Sequence, residues 1–306
     1  MFGRRPDGRR VKNMDPIVQL TPYLMPMRCD AQVFLDHNLE YEPLMRYIAE
    51  KNRQGIKITF MEILVAAYIR GVSQVPQVNR FVMNKQLFNR NELTVAFTML
   101  LDTPDGSPEE TVVKINFDPS DTLLDVSARI KDTIAKNRKP ENANFALKLA
   151  GFLLSVPLLP NAVVGLARLL DRYGLCPRVI LDASPFHTSM FITNMASIGM
   201  HKVYHHIYNF GSTGMFISLG TPEREFGVDA AGKVVRKCIL PVGITADERV
   251  CGGAVYAQLF AVMKKCLKEP QLLEQAPEEV KFNEGMRYHC PKPVLAKGTQ
   301  GQVAEG

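Results

Sequence analysis

The run from Leu149 to Ala167 (LAGFLLSVPLLPNAVVGLA) holds nineteen residues without a charged side chain, and no other stretch so narrows what this chain can become. A membrane-spanning helix needs about 20 predominantly apolar residues, so the run falls just short of one. Pro157 and Pro160 lie near its centre, where each would remove a backbone donor and break a helix, and Asn161 stands beside them. The segment is therefore expected to fold as an apolar helical hairpin, two short helices joined at the prolines, occupying about residues 143–175. Membrane-surface contact and a true span remain as alternative readings.

The rest of the chain excludes disorder, its ends apart. It has 306 residues, 46% hydrophobic and 22% charged, enough to bury a substantial core. Much of the net charge of +6 sits at the start, in Arg4, Arg5, Arg9, Arg10 and Lys12. Such an arm, residues 1–14, can touch phosphates or acidic headgroups. With no aromatic platform or groove-reading motif beside it, it is expected to be a solvated tail folding over a neighbouring subunit, and no nucleic-acid partner is expected. The six cysteines (Cys29, Cys176, Cys238, Cys251, Cys266, Cys290) form no CxxC pair and no metal-like spacing. They are expected to be reduced thiols in a cytoplasmic protein, and no metal site is expected.

Hydrophobic periodicity supplies the elements. Cys29–Leu39 alternates as a strand, and Tyr41, Leu44, Met45 and Ile48 follow helical spacing up to Gly55. Thr59 and Glu62 have the spacing of a capping box, which predicts a second helix ending before Pro76. Leu93–Leu101 and Thr111–Phe117 are expected to pair as a hairpin across a Pro/Asp/Gly/Ser loop at residues 102–110. Leu123, Val126, Ile130 and Ile134 mark an amphipathic helix ending in the basic run at Lys136. Short strands are expected near Val179–Leu181, Met190–Thr193, Met215–Leu219 and Lys237–Ile244, then a helix over Gly253–Lys268. Residues 291–306 are expected to be a flexible tail. This order predicts a mixed sheet covered by helices, an α/β protein of the two-layer α+β kind.

Four landmarks carry a resemblance to a known family. They are Ile58-Thr59 opening a helix that runs to Pro76-Gln77-Val78-Asn79, the turn Phe117-Asp118-Pro119-Ser120-Asp121-Thr122-Leu123, the strand end Ile192-Thr193-Asn194-Met195-Ala196, and Leu240–Gly253 (LPVGITADERVCGG) followed by Glu269-Pro270-Gln271-Leu272-Leu273. In order and spacing, from about Asp15 to Leu273, the chain resembles the catalytic domain of the dihydrolipoyl acyltransferases (the 2-oxoacid dehydrogenase acyltransferase domain) and chloramphenicol acetyltransferase. The resemblance implies one acyltransferase-like domain over residues 15–290 and a homotrimer able to assemble further. It implies active sites at subunit interfaces, each a tunnel taking coenzyme A or an acyl-CoA from one side. The full-length relatives carry a lipoyl domain, and no lipoyl attachment site is expected here, which argues against a core role in a 2-oxoacid dehydrogenase complex.

The implied chemistry moves an acyl group between a thiol and a second thiol, hydroxyl or amine. A neutral histidine accepts the nucleophile's proton, a side-chain hydroxyl stabilises the oxyanion, and an aspartate four residues after the histidine fixes the geometry. With Asp247, Arg249, Val250 and Gly253 on the motif, the histidine position holds Glu248 and the aspartate position holds Gly252. A thiol and a carboxylate ordinarily differ by about four pKa units, so proton transfer between them runs uphill by roughly 5–6 kcal/mol. Burial of a carboxylate recovers much of that difference but does not restore the imidazole's reach. Glu248 is therefore expected to be structural, paired with Arg249 or Arg80. Thr193 and Asn194 stand where the family's strand brings polar groups to the oxyanion; Thr193 is either the hydroxyl donor or only a strand former. The segment His201–His206 offers a substitute base or merely surface imidazoles, and His37 and His187 are isolated in the sequence.

Three functions follow. The first, which the loss of the histidine favours, is a catalytically degenerate acyltransferase, a pseudoenzyme acting as a scaffold or binding protein. The second is an active coenzyme A-dependent acyltransferase using Glu248 or a histidine of His201–His206 as base. The third is a lipid- or membrane-associated binding module built on Leu149–Ala167.

Overall fold

A computed structural model describes residues 4–101, 110–138, 154–228, 231–284, 286 and 288–291. Residues 102–109 of the loop expected at 102–110, the first arm of the apolar hairpin through residue 153, and the tail from 292 onward lie outside them.

Among the described residues the chain forms eleven strands and seven α-helices. In order these are β1 (Arg4–Arg5), β2 (Gly8–Arg10), α1 (Pro16–Leu24), β3 (Gln32–Glu40), α2 (Glu42–Arg53), α3 (Phe60–Gln74), β4 (Arg80–Met83), β5 (Gln86–Arg90), β6 (Leu93–Leu100) and β7 (Glu110–Phe117). Then come α4 (Leu123–Asn137), α5 (Leu159–Arg172), α6 (Arg178–Ala183), β8 (Met190–Asn194), β9 (Met215–Leu219), β10 (Glu223–Val228), β11 (Val234–Asp247) and α7 (Gly253–Lys268).

Local chemistry explains the helix boundaries. Thr59 accepts from the Glu62 amide while Glu62 bonds back to the Thr59 amide, the reciprocal cap expected for α3. Thr122 and Asp125 do the same for α4. Pro160 sits in the first turn of α5, where its missing N–H costs nothing, so the prolines of the apolar run start a helix.

The long β11 organises the main sheet. It pairs antiparallel with β3 on one side, from Ile239–Glu40 to Asp247–Gln32, and on the other with β10 and then β9. Parallel β8 and β6, then antiparallel β7, complete a mixed seven-stranded sheet. One face packs on α2, α3, α4 and α7 in a single core that includes Ile63, Tyr68, Val95, Ile192, Ile217, Ile244 and Leu259. Each such side chain contributes about 1.5–3 kcal/mol through burial. On the opposite face Ala96, Phe191, Ile207 and Phe216 form a small separate cluster. Here the segment 201–207 lies directly on the sheet, because Gly220 and Gly243 leave no side chain in the way. A Cβ on Gly220 would stand 2.4 Å from the Lys202 amide nitrogen, and one on Gly243 would stand 2.6 Å from the Val203 carbonyl oxygen.

Three expectations are corrected. Val179–Leu181 is not a strand but part of the short helix α6, which Pro177 opens; Leu181 alone reaches the interior while Val179 stays 78% exposed. A β-branched run carries strand preference only where two faces are covered, and here they are not. The basic arm is not a solvated tail. Its β1–β2 hairpin pairs with β5 in a second sheet, and the Arg5 guanidinium is buried against Asp171 and Asp7. Finally, β4 and β5 form a hairpin turning at Asn84-Lys85, both at positive φ, in a stretch that sequence patterning left without strands.

Candidate functional site

The turn after β11 contains the positions on which the family chemistry would depend. Asp247 ends the strand fully buried. It accepts from the Arg249 amide (3.1 Å), from Arg249 Nε (2.9 Å) and Nη2 (2.8 Å), and from Arg28 Nε (3.3 Å). Arg249 also donates to the Met25 and Pro26 carbonyls, and Arg28 to the Tyr208 carbonyl. The Tyr256 hydroxyl donates to the Asp247 carbonyl at 3.0 Å, tying the turn to α7. Cys251 is buried here as well, which pushes its thiol up to about 12, so it offers no thiolate at neutral pH.

Glu248 points away from this network. It is exposed, and among the described residues its side chain has no hydrogen-bond or ion-pair partner; only its amide is held, by the Ala31 carbonyl at 2.9 Å. The expected pairing with Arg249 or Arg80 is therefore not formed. Arg249 is committed to Asp247, and Arg80 to Asn89 at 2.9 Å and Asn283 at 3.2 Å. Gly252 is the N-cap residue of α7 and faces open space, with nothing within 4 Å of where a Cβ would lie. The residues of the motif that hold the turn are all engaged, whereas the two that would perform chemistry are an unpartnered carboxylate and a missing side chain.

Glu248 stands at one end of a groove of about 500 Å³ between β3 and α7, lined by Val33, Leu35, Tyr256 and Phe260, with His37 and Lys264 at the other end. His37 packs at a tilt against Phe260, with ring centroids 5.1 Å apart and planes at 60°. Burial, reinforced by the positive Lys264, holds its imidazole below the usual value, so it is neutral at pH 7. His37 pairs with Val242, six residues before Glu248, which places the two about 20 Å apart along the strand.

Thr193 and Asn194 end β8 at a second cavity of about 610 Å³ lined by Phe97, Phe191 and Phe216 among others, with Thr193 on the same face as Phe191, opposite the helices. Thr193 Oγ1 lies 3.0 Å from His205 Nε2. The His205 ring stacks on Phe216 at 4.4 Å, and Phe216 on Phe191 at 4.7 Å. Burial, with neighbouring His206 adding to it, holds the His205 imidazole below its usual value, again neutral at pH 7. Of the other histidines in this segment, His201 faces Glu223 at 3.2 Å on the surface, and His206 packs edge-on against Tyr208.

The structure does not unite these two groups within one chain. Thr193 is in register with Ser218 and, across β9, with Gly243, five residues short of Glu248. That spacing separates them by about 16 Å along the strands and about 10 Å across them, on opposite faces.

Sequence reasoning missed two features. His37 shares a groove with Glu248, a contact only strand register reveals. His187, isolated in sequence, is buried with Nε2 3.1 Å from Asp171 and Nδ1 2.8 Å from Ser184 Oγ, a network that closes the arm and α5 onto the sheet. Among the described residues, no three of His, Cys, Asp and Glu are grouped to hold a metal ion, and no helix is long and apolar enough to cross a membrane.

The fold is thus a mixed sheet with helices on one face and a tightly held turn after its longest strand, the architecture of an acyltransferase type of fold by comparison with solved structures. The chain is similar to the cubic core of the pyruvate dehydrogenase multienzyme complex, with a TM-score of 0.51 and 14% identity over 87% of this chain and 94% of that one. It is similar to a probable dihydrolipoamide acetyltransferase from Listeria monocytogenes (TM-score 0.52, 10% identity, 85% and 94% covered). It is also similar to the dihydrolipoamide acetyltransferase of Azotobacter vinelandii (TM-score 0.51, 13% identity, 87% and 94% covered), in whose catalytic mechanism a serine, a histidine and an asparagine have roles. The chain thus has the fold of a dihydrolipoamide acetyltransferase catalytic domain. No protein-family model matches the sequence, and no curated protein does.

Proposed function

We propose that this chain is an acyltransferase-fold homotrimer, one domain over about residues 15–290, that has lost the family's proton acceptor and works as a scaffold or binding protein. One observation carries the reading. Glu248 stands exposed and unpartnered at the histidine position, beside a Gly252 with no side chain to orient anything. A solvated carboxylate lacks the desolvation that would make it a stronger acceptor for a thiol proton. Two half-sites on opposite faces support trimerisation, because only a second copy can bring a Glu248 turn to a Thr193 cavity. Exposed apolar side chains on the β10–β11 hairpin (Phe226, Val228, Val234) offer surface for such contacts. The groove and the cavity suit coenzyme A or an acyl-CoA as ligand, and the six free thiols suit the cytoplasm. The test is acyl transfer from acetyl-CoA to thiol, amine and alcohol acceptors. No turnover is expected, and Glu248→Ala is expected to change nothing; turnover that this substitution abolishes overturns the reading.

The Thr193–His205 pair favours a second reading, an active acyltransferase with His205 as its base. A neutral imidazole within hydrogen-bond reach of a hydroxyl, in a cavity walled by aromatic rings, has the makings of general base and oxyanion donor. This reading requires turnover that survives Glu248→Ala, disappears in His205→Gln, and falls as pH drops below neutrality. Turnover with none of these dependences removes it.

A further inference from the structure

A third cavity, of about 370 Å³, opens between the end of α1, the Asn84-Lys85 turn and the inserted helix α5. Its lining is strongly cationic: Arg28, Lys85, Arg168, Arg172 and Arg249 converge on it, against a single lining carboxylate, Asp171. That carboxylate is already neutralised, with Oδ1 accepting from Arg5 at 2.6 Å and Oδ2 facing His187 at 3.1 Å. The cationic floor is built in, since Arg28 and Arg249 are both buried and share one carboxylate, Asp247. The three cations at the rim keep donors to spend. Arg168 has no partner among the described residues, Arg172 uses only Nε, on Asn84 at 2.9 Å, and the Lys85 ammonium lies over the Tyr23 ring at 5.0 Å. Arg168 and Arg172 stand four residues apart on one helix, where like charges repel. Three rim cations with donors to spend, two of them repelling along a helix, stand over a floor whose two arginines share one carboxylate, an arrangement suited to a multivalent anion.

We propose that this cavity binds the phosphate group of a small phosphate ester or pyrophosphate, with Arg168, Arg172 and Lys85 as its ligands. Its size fits a ligand of a few tens of atoms or fewer. The phosphate has two sources to consider, a free metabolite or the headgroup of an anionic lipid. The second fits the apolar side chains beside the opening, since Tyr23, Leu24 and Met27 are each more than half exposed, as are Leu166 and Leu169 on α5.

The experiment uses the full chain in two arms. Calorimetric titration with inorganic pyrophosphate probes the free ligand, and co-sedimentation with phosphatidylcholine vesicles, with and without phosphatidic acid, probes the lipid. The variants are Arg168→Ala with Arg172→Ala, and separately Lys85→Asn, which removes the charge while suiting the positive φ at that turn. Arg53→Ala, on the exposed end of α2, is the control. Saturable pyrophosphate binding, weakened about tenfold or more in the double variant and unchanged in the control, establishes a soluble phosphate ester as the ligand class. Sedimentation only with phosphatidic acid, and lost in the same variants, assigns the site to a lipid headgroup. Binding in neither arm, or binding that survives both sets of substitutions, overturns the proposal.

Discussion

If the residues of the turn after β11 persist for structure and not for chemistry, replacing Asp247 must damage stability while replacing its neighbour does not. Asp247→Asn keeps the shape and one acceptor oxygen but removes the carboxylate that two buried guanidiniums, Arg28 and Arg249, share. Removing one member of a buried pair costs about 3–5 kcal/mol, because the partner is left charged and uncompensated. Here the cost falls at the low end, about 3 kcal/mol, since both arginines retain backbone carbonyls from Met25, Pro26 and Tyr208. At about 2–4 °C of Tm per kcal/mol for a domain approaching this size, the variant should melt roughly 6–12 °C lower. Glu248→Ala removes an exposed, unpartnered side chain and should stay within about 0.5 kcal/mol of the parent. Urea denaturation of the three proteins supplies both numbers. An Asp247→Asn cost below about 1 kcal/mol, or a Glu248→Ala cost matching it, would refute the division between structural and vacated positions.

Two further outcomes are expected. His37 and His205 are both held below their ordinary value by burial, so the folded chain binds fewer protons than the unfolded one in mildly acid solution. Their contribution is complete above about pH 6.5 and is lost as pH falls below it, through the depressed folded values. Tm should therefore decline between neutrality and about pH 5, less steeply in His205→Gln; a Tm that rises on acidification through that window contradicts this. Gly220→Ala would press a methyl group to 2.4 Å from the Lys202 amide nitrogen, so the segment carrying His205 must shift, at a cost of about 1–3 kcal/mol. Urea midpoints measure the cost, and an unchanged midpoint would show that the segment is not held against the sheet.

The fold was legible wherever local and global signals agreed. Thr59 with Glu62, the apolar faces of α3, α4 and α7, and the ends of β6 and β7 could be set from side-chain spacing, because capping and amphipathic burial act over a few residues. What failed depended on tertiary context. Val179–Ile180 looked like a strand because β-branched residues favour one, yet no neighbouring strand was there to pair. The β1–β2 hairpin was hidden because Arg5 gains its burial from Asp171 and Asp7, the first remote in sequence. The site was half legible. Glu248 and Gly252 stood out against the family pattern, whereas the juxtaposition of Thr193 with His205, and of His37 with the Glu248 groove, follows from strand register alone. The expected partner of Glu248 was wrong for a physical reason: Asp247, one residue away and buried, is the stronger claimant for Arg249.

The central claim is that a missing base separates this chain from the acyltransferases whose fold it shares. Restoring it by Glu248→His with Gly252→Asp is sterically open, since position 252 faces empty space in an ordinary N-cap conformation with φ at −69°. An imidazole is ordinarily a stronger base than a carboxylate by about two pKa units, which makes proton transfer from a thiol easier by about 3 kcal/mol, roughly a hundredfold in rate. The measurement is acetyl transfer from acetyl-CoA to a small thiol by parent and double variant under identical conditions. The account predicts no turnover in the parent and measurable turnover in the variant; parent turnover that vanishes when Glu248 is removed, or a variant as inert as the parent, would contradict it.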